Sequence, residues 1–227
     1  MPEVINIDPD HPEQALIGRA VKILREGGVI AYPTETFYGL GAHAGLAGAV
    51  ERIFLVKGRP FTNPLSLIAG DEESTDKLTV DVSLAARSLM QAFWPGALTL
   101  VFHASSRIIP RLTAGAGTIG IRVSGHPIAA AIAKALSFPI TATSANISGE
   151  EECSTAAQVV QSLGDRIDAV IDGGRTAGGT GSTVLDMTTD PPVILREGAI
   201  PASLIYALLE DKLPSAEADR LRRKGKE

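Results

Sequence analysis

Short apolar segments alternate with amphipathic helical segments along most of this chain, and this alternation limits its fold more than any other feature. Alternation of this kind is typical of α/β proteins. Strands are predicted over residues 29–32, 65–69, 97–102, 119–123, 139–142, 169–172, 183–187 and 192–196. Helices are predicted from after Asp10 to Gly27, over 48–57, 83–93 and 127–136, from Ser154 to Gly164, and from Pro201. We therefore predict one α/β domain with a twisted, mixed β-sheet flanked by helices.

Turn and capping residues set the boundaries of these elements. Ser154 is predicted to cap a helix at its N-terminus, and Pro201 to occupy the first position of the last helix, where proline is tolerated. Residues 33–41, rich in hydroxyls and glycine, are predicted to form a loop. The domain is expected to cover residues 1–210, followed by a polar tail over residues 211–227.

Composition excludes several classes of protein. The 227 residues carry a net charge of −5, which argues against strong binding of nucleic acid but allows a local basic cleft. The one cysteine, Cys153, cannot form an internal disulfide, which fits a reducing cytosol. No apolar run reaches the roughly 18 residues of a membrane span, and the N-terminus has no signal-peptide pattern. We expect a cytoplasmic protein with no membrane partner.

Familiar nucleotide and nucleophile motifs are absent from the sequence. No G-x-x-x-x-G-K-[ST] occurs, and no G-x-G-x-x-G follows a predicted strand. The G-x-S-x-G elbow of serine hydrolases is also missing. Any nucleotide site in this chain must therefore be built from other residues.

Two cations, Lys57 and Arg59, stand at the end of the second predicted helix, just before Pro60. A helix C-terminus favours cations because its free carbonyls carry partial negative charge, so a capping role is one interpretation. The other is that both side chains hold an anion. The local sequence leaves both interpretations open.

Cations and hydroxyls dominate the polar residues at predicted strand ends and in glycine-rich loops. Such a set suits phosphates and a carboxylate. Arg122 and Arg196 have a second interpretation, as structural partners of Glu35 or Glu197, and the hydroxyls near Ser144 could serve turn geometry alone. The residues are Thr34, Thr36, Tyr38, Lys57, Arg59, Asn63, Thr118, Arg122, Thr143, Ser144, Asn146, Ser182, Thr183 and Arg196. Among the four histidines, His126 is predicted to cap or pack, and His43 is the one candidate for a functional role.

Seven short motifs in order resemble the YrdC family, in the short bacterial form of its threonylcarbamoyl-AMP synthases. They cover about residues 10 to 210, and the order makes them far more specific together than singly. The resemblance implies a YrdC-like catalytic domain with a concave basic groove and no room for the extra C-terminal domain of longer forms. The motifs are Y-P-T-E-T-F-Y-G-L-G (32–41), K-G-R-P-F-T-N-P-L (57–65), W-P-G-A-L-T (94–99), T-I-G-I-R-V with H-P-I (118–128), S-A-N-I-S-G (144–149), G-S-T-V-L-D (181–186) and V-I-L-R-E-G (193–198).

The resemblance also implies an activity and a set of site residues. Family members join L-threonine, bicarbonate and ATP into threonylcarbamoyl-adenylate and pyrophosphate, and a separate transferase complex places the threonylcarbamoyl group on tRNA. Lys57 and Arg59 match the catalytic K-x-R signature. No protein metal site is implied, and Mg²⁺ is expected to arrive with ATP. The ATP-binding positions are Lys57, Arg59, Asn63, Thr118, Ser144, Asn146, Glu152 and Arg196, and the threonine-binding positions are Thr36, Arg122, Ala142 and Ser182.

One position departs from the family pattern, and two other functions are alternatives to the synthase. Many relatives carry a histidine beside the threonine where this chain has Ile68. A double-stranded RNA or tRNA-binding module, with weak or transient contact, is one alternative. A YciO-like paralogue of undefined substrate is the other, although the intact S-A-N at 144–146 argues against it. The longer carbamoyltransferases that mature hydrogenases are excluded by length and by the single cysteine.

Overall fold

The computed structural model describes residues 1–212 of the chain. The helices are α1 (Gln14–Arg25), α2 (Ala47–Lys57), α3 (Glu72–Asp76), α4 (Leu84–Phe93), α5 (Pro110–Thr113), α6 (Pro127–Leu136), α7 (Ala156–Leu163) and α8 (Ala202–Lys212). The strands are β1 (Glu3–Asn6), β2 (Ile30–Pro33), β3 (Tyr38–Gly41), β4 (Ser66–Ile68), β5 (Thr79–Val80), β6 (Leu98–Ala104), β7 (Thr118–Arg122), β8 (Ile140–Ser144), β9 (Ala169–Asp172), β10 (Thr183–Asp186) and β11 (Val193–Arg196).

Ten of these strands form one continuous mixed sheet in the order β1-β9-β2-β3-β8-β4-β7-β6-β10-β11, and β5 pairs with β6 at its side. Parallel pairs such as β4–β7 and β6–β10 occur beside antiparallel pairs such as β4–β8 and β6–β7. The predicted α/β domain with a mixed sheet and flanking helices is confirmed. This order brings the ends of β4, β6, β7, β8 and β10 close together, although they are far apart in the sequence.

Helices pack on both faces of the sheet, and strand β2 shows why. Its side chains alternate, so Ile30 and Tyr32 join one apolar cluster while Ala31 joins another. The first cluster includes buried residues of α1 and α6, and the second includes buried residues of α2 and α7. A third cluster packs α4 and α8 against β6. Residues buried on both faces explain the nearly continuous apolar runs in the sequence.

The prediction that residues 33–41 form a loop is wrong for their second half. Tyr38–Gly41 is strand β3, paired antiparallel with β2, and only residues 34–37 form the hairpin loop. Gly39 lies opposite Tyr32 and Gly41 opposite Ile30, and the Tyr32 ring would come within 2.9 Å of a Cβ at Gly39 and 2.6 Å of one at Gly41. Gly39 and Gly41 therefore make room for an aromatic ring within a strand pair, a use of glycine that resembles loop composition in the sequence.

Several helix boundaries differ slightly from prediction. Thr155, and not Ser154, caps α7, since its hydroxyl accepts a hydrogen bond from the amide of Gln158 in a capping box. Pro201 precedes α8 and is not its first residue. His126 caps α6 as predicted.

The predicted polar tail over 211–227 lies almost entirely outside the described residues, because α8 continues to Lys212 and residues 213–227 are not described. No helix between residues 1 and 212 is long and apolar enough to cross a membrane.

Candidate functional site

A cavity of about 220 Å³ opens on the sheet where the hairpin loop, the loop after α2 and several strand ends meet. Most of the predicted site residues line it: Thr36, Arg59, Arg122, Ala142, Ser144, Glu152, Ser182 and Arg196. Residues from six widely separated segments converge there, which follows from the strand order. Eight of the twelve predicted site residues therefore line one cavity, while the functional roles of all twelve remain predictions.

Four predicted site residues do not line the cavity: Lys57, Asn63, Thr118 and Asn146. The Lys57 side chain lies behind the wall, where Nζ donates hydrogen bonds to the carbonyl oxygens of Ser144 (2.5 Å) and Asn146 (2.8 Å) and to Asn146 Oδ1 (3.0 Å). Asn146 Nδ2 in turn donates to the carbonyl of Glu150. Lys57 thus holds the turn that follows β8, and its three protons are all used within the protein.

Burial controls the chemistry of Lys57, which is only 2% exposed. Loss of hydration lowers the pKa of its amine to about 8, and the nearby Arg59 guanidinium lowers it further. This position is neither that of the C-terminal cap of α2 nor that of a cavity-lining cation, and a ligand-binding role for Lys57 stays a prediction. The C-terminal cap of α2 is Gly58, in the left-handed conformation with φ 61°, and the lysine faces backbone carbonyls, not the cavity.

Arg59, two residues later, does reach the cavity. Its Nε donates to the carbonyl of Asn63 (3.3 Å) and Nη2 to that of Pro64 (2.9 Å). These bonds fold residues 60–64 back on the arginine and leave Nη1 without a partner among the described residues. Burial lowers the pKa of this guanidinium, which nevertheless stays charged at neutral pH. Asn63 contributes a backbone oxygen to this arrangement.

Arg122, at the end of β7, pairs with Glu35 of the hairpin loop. Nη1 lies 2.8 Å from Glu35 Oε1, and the hydroxyl of Ser124 donates to the other carboxylate oxygen. The structural interpretation of Arg122 is therefore correct in its partner, and the same side chain also lines the cavity. An arginine can serve both purposes because it has five donors on one rigid plane.

Arg196 is tied to Ser182 and not to Glu197. Its Nε and Nη2 donate to the Ser182 carbonyl at 3.2 and 2.8 Å, and Nη2 lies 3.3 Å from the Ser182 hydroxyl. The Ser182 hydroxyl also shares a hydrogen bond of 2.9 Å with Thr99. Glu197 instead accepts from the amide of Ala202 at the start of α8. A predicted nucleotide residue and a predicted threonine residue are thus in direct contact.

Further residues line the cavity without a predicted assignment to ATP or threonine, and only Thr34, Tyr38 and Thr143 among them belong to the polar set named from the sequence. The Tyr32 hydroxyl donates to the carbonyl of Thr141, and burial raises the tyrosine's pKa far above its usual value. Ser66 and Thr99 enter through strand register, since Ser66 lies opposite Ala142 and Thr99 opposite Val184. A hydroxyl inside an apolar strand has no local signal for this role. The additional lining residues are Tyr32, Thr34, Phe37, Tyr38, Gly39, Pro64, Leu65, Ser66, Thr99, Thr143, Gly181 and Val184.

The remaining candidates lie elsewhere. His43 stacks on Phe138 with ring centroids 4.8 Å apart, and burial lowers its pKa, so it is placed as a packing residue. Ile68 is fully buried in the apolar cluster that contains Tyr32 and does not line the cavity. Within residues 1–210, no three His, Cys, Asp or Glu side chains are grouped in a way that could hold a metal ion.

The arrangement suits a ligand with several negative charges. Three guanidinium groups, from Arg59, Arg122 and Arg196, reach one cavity together with a set of hydroxyls and the carboxylate of Glu152. Guanidinium groups bind carboxylate and phosphate oxygens in pairs, and hydroxyls satisfy remaining lone pairs. No group among these lining residues combines a nucleophile with an adjacent base, so the cavity favours binding and charge stabilisation over covalent catalysis.

Fold and cavity together define an α/β protein that presents guanidinium and hydroxyl groups on one cavity wall. A family model for Sua5, YciO and YrdC, described as telomere recombination, matches residues 22–198. The chain belongs to the Sua5/YciO/YrdC family, and the resemblance seen in its motifs is confirmed.

Named relatives and solved structures agree with this assignment. The chain is 43% identical over 194 residues to a threonylcarbamoyl-AMP synthase of Bacillus subtilis strain 168, covering 85% of this chain and 56% of that protein. It is similar to the crystal structure of Pyrococcus abyssi Sua5 complexed with L-threonine, with a TM-score of 0.88, 40% identity, and 90% and 60% of the two chains covered. The crystal structure of E. coli YciO is similar with a TM-score of 0.82 and 34% identity, and the match covers 88% of this chain and 98% of YciO. The chain thus spans little more than half the length of the first two proteins.

Proposed function

We propose that this chain is an L-threonylcarbamoyladenylate synthase, an enzyme that makes threonylcarbamoyl-AMP and pyrophosphate from L-threonine, bicarbonate and ATP. The observation that carries the proposal is the convergence of Arg59, Arg122 and Arg196 on one hydroxyl-lined cavity. The name of the Bacillus relative and the threonine complex of the Pyrococcus protein support it.

The proposed chemistry needs positioning more than a strong base. The amine of threonine combines with bicarbonate to give a carbamate, with loss of water. A carbamate oxygen then attacks the α-phosphorus of ATP, and pyrophosphate leaves with the electrons of the broken P–O bond. Aligning the two reactants and neutralising the transferred phosphate account for most of such a rate enhancement.

The cavity residues divide between the two substrates. We assign Arg59, Ser144, Glu152 and Arg196 to ATP, together with the nearby Asn63 and Thr118, which do not line the cavity. We assign Thr36, Arg122, Ser182 and the backbone of Ala142 to threonine. The cavity then corresponds to the concave basic groove predicted from the family. Mg²⁺ is proposed to enter as part of the ATP complex, which fits a wall built from cations and hydroxyls.

Lys57 and Asn146 receive a different role from the one the motif implies. Both are buried and bonded to each other, so we assign them to positioning Ser144 and not to the phosphates. This keeps the K-x-R and S-A-N motifs functionally linked through a hydrogen-bonded contact between them.

Partners and location follow from the product. A threonylcarbamoyl-adenylate is reactive, so we propose that a transferase complex uses it for tRNA modification soon after release, with weak or transient contact of this chain with tRNA. ATP and tRNA meet in the cytoplasm, where we place the reaction.

The direct test is incubation of the protein with ATP, Mg²⁺, bicarbonate and labelled L-threonine. Pyrophosphate and labelled threonylcarbamoyl-AMP should appear together, and both should depend on bicarbonate. Arg59→Ala should remove most of the signal, whereas Arg87→Ala, which breaks a 2.7 Å pair with Asp76 outside the cavity, should not. Absence of both products from the folded wild-type protein would refute the proposal.

A YciO-like function is the second candidate, because the chain covers 98% of E. coli YciO at 34% identity. The same assay separates the two. ATP binding without threonine-dependent pyrophosphate release would favour the paralogue.

A further inference from the structure

We propose that Glu35 is a positioning residue that holds Arg122 in the orientation that receives the amino-acid carboxylate. This inference rests on the proposed function, because it concerns how the threonine end of the same cavity works. Glu35 does not line the cavity, so it acts through Arg122 and not on the ligand itself.

The hairpin loop separates side chains that face the ligand from one that faces the protein. Thr34 and Thr36 line the cavity and share a hydrogen bond of 3.1 Å. Glu35, between them, points the other way and reaches Arg122 and Ser124. A single loop therefore carries both a part of the cavity wall and the support for the opposite arginine.

Both oxygens of Glu35 are occupied. Oε1 accepts from Arg122 Nη1 at 2.8 Å, and Oε2 accepts from the Ser124 hydroxyl at 2.5 Å. The Ser124 hydroxyl also accepts from the amide of His126, the capping residue of α6. Glu35 is thus fixed by a fully buried serine that is itself anchored to a helix end. This chain of bonds leaves Glu35 little freedom to rotate.

The group that Glu35 holds is the guanidinium of Arg122. The side chain of Arg122 is 9% exposed and that of Glu35 is 20% exposed, so the pair is shielded from water. Within the described part of the chain, the hydrogen bonds of the Arg122 side chain use Nη1 alone. Nε and Nη2 are not among the fully buried polar atoms that lack a hydrogen-bond partner. The bond at Nη1 restricts rotation of the planar guanidinium, and the remaining donors are available to a ligand in the cavity that Arg122 lines.

Charge gives a second consequence. Glu35 balances the charge of Arg122, which lowers the cost of burying it. The threonine end then offers an oriented pair of donors with little net charge, while Arg59 and Arg196 form no ion pair within residues 1–210 and Glu152 offsets only part of their charge at the other end. A carboxylate is selected there by geometry, and the more highly charged triphosphate is drawn to the other end.

Four variants test the role: Glu35→Ala, Glu35→Gln, Ser124→Ala and the control Glu51→Ala, which removes an exposed carboxylate paired with Arg111. Each is measured for KM of threonine, KM of ATP, kcat and thermal stability. Threonine binding is also measured by calorimetry without ATP. Glu35→Ala should raise the threonine KM and Kd by about 10-fold or more, which corresponds to one lost oriented contact, and leave the ATP KM within about twofold. Glu51→Ala should change none of them.

The conservative variants separate orientation from simple loosening. Glu35→Gln keeps an acceptor oxygen for Arg122 and should recover most of the threonine affinity. Ser124→Ala keeps the ion pair but frees the carboxylate, so its threonine KM should lie between wild type and Glu35→Ala. These two variants carry the test if Glu35→Ala does not fold. Equal rises in both KM values, or a threonine KM within about twofold of wild type in folded Glu35→Ala, would overturn the proposal.

The outcomes distinguish this inference from the proposed function. Product formation by the wild type with an unchanged threonine KM in Glu35→Ala refutes the positioning role alone. Threonine binding that is lost in Glu35→Ala, without pyrophosphate release by the wild type, supports the positioning role and refutes the synthase.

Discussion

Replacing Lys57 with methionine tests whether this lysine supports the site or binds the ligand. Methionine keeps the unbranched stem and about the same length, so the packing of α2 is preserved. The change removes the three hydrogen bonds from Nζ to Ser144 and Asn146. Two buried acceptors on Asn146 and one half-buried acceptor on Ser144 are then left without their donor.

The expected loss of stability is large for a single side chain. A buried polar group left without its partner costs about 1–3 kcal/mol, and water can reach some of these acceptors after relaxation, so we expect a total loss of about 3 kcal/mol. In a chain of this length, 1 kcal/mol shifts the melting temperature by about 2–4 °C. Lys57→Met should therefore melt about 6–12 °C below the wild type.

Arg59→Met is the matched comparison, because Arg59 is two residues away and reaches the cavity. Its two hydrogen bonds go to the carbonyls of Asn63 and Pro64 in an exposed loop, where water can replace them. The melting temperature should fall by no more than about 3 °C, while the KM of ATP should rise by about 10-fold or more.

Differential scanning fluorimetry and pyrophosphate release, measured on both variants, decide the matter. If Lys57→Met melts within about 2 °C of wild type and loses ATP affinity as Arg59→Met does, the lysine is a ligand of the triphosphate and the positioning role is wrong. If stability falls and the ATP KM of the remaining folded protein rises less than in Arg59→Met, the lysine acts through Ser144 and not as a ligand of the triphosphate.

Three further predictions follow from the same contacts. Burial lowers the pKa of Lys57 to about 8, so between that pH and about 10.5 the unfolded chain holds more protons than the folded one. The free energy of unfolding should therefore rise with pH in this window for the wild type relative to Lys57→Met. If the difference in unfolding free energy between the two proteins is smaller at pH 9.5 than at pH 7 in urea titrations, the lowered pKa is wrong. Gly41→Ala places a Cβ 2.6 Å from the Tyr32 ring and should destabilise the hairpin by about 1–3 kcal/mol in chemical denaturation, whereas Gly48→Ala, with open space around it, should not. Thr99→Val removes the 2.9 Å contact to Ser182 and should raise the threonine KM by about 3–10-fold with the ATP KM unchanged; a rise in the ATP KM alone would refute the assignment of Ser182 to threonine.

The sequence predicted the sheet and part of the cavity wall because both depend on strong local patterns. Apolar runs bounded by glycine and proline marked eight of the strands, and motif residues at strand ends marked the lining. It did not predict Ser66 and Thr99 as site residues, because their place in the cavity depends on which strands are neighbours. Strand β4 lies between β7 and β8 in the sheet, and nothing in the chain order indicates this.

Lys57 shows a different limit of sequence interpretation. Its spacing from Arg59 suggested that both cations form one wall of an anion site. The chain reverses at Gly58, whose positive φ of 61° ends the helix between them. Lys57 therefore points back to the turn after β8, and Arg59 continues into the loop that borders the cavity. The left-handed conformation of Gly58 thus directs the side chains of Lys57 and Arg59, which are close in the motif, to different places.

Lys57 and Glu35 have opposite charges but the same relation to the cavity: each is bonded to protein groups behind the wall and does not line it. Their effects on the ligand's field are different. Glu35 offsets a guanidinium that does line the cavity, whereas Lys57 is bonded to neutral amide oxygens and adds its charge behind Ser144. On the proposed assignment, the electrostatic attraction is therefore strongest near Arg59, Arg196 and Ser144, where the triphosphate binds. It is weakest near Arg122, where only an oriented carboxylate is held. A triphosphate and a carboxylate can then bind at opposite ends of one small cavity whose wall contains no cluster of metal ligands.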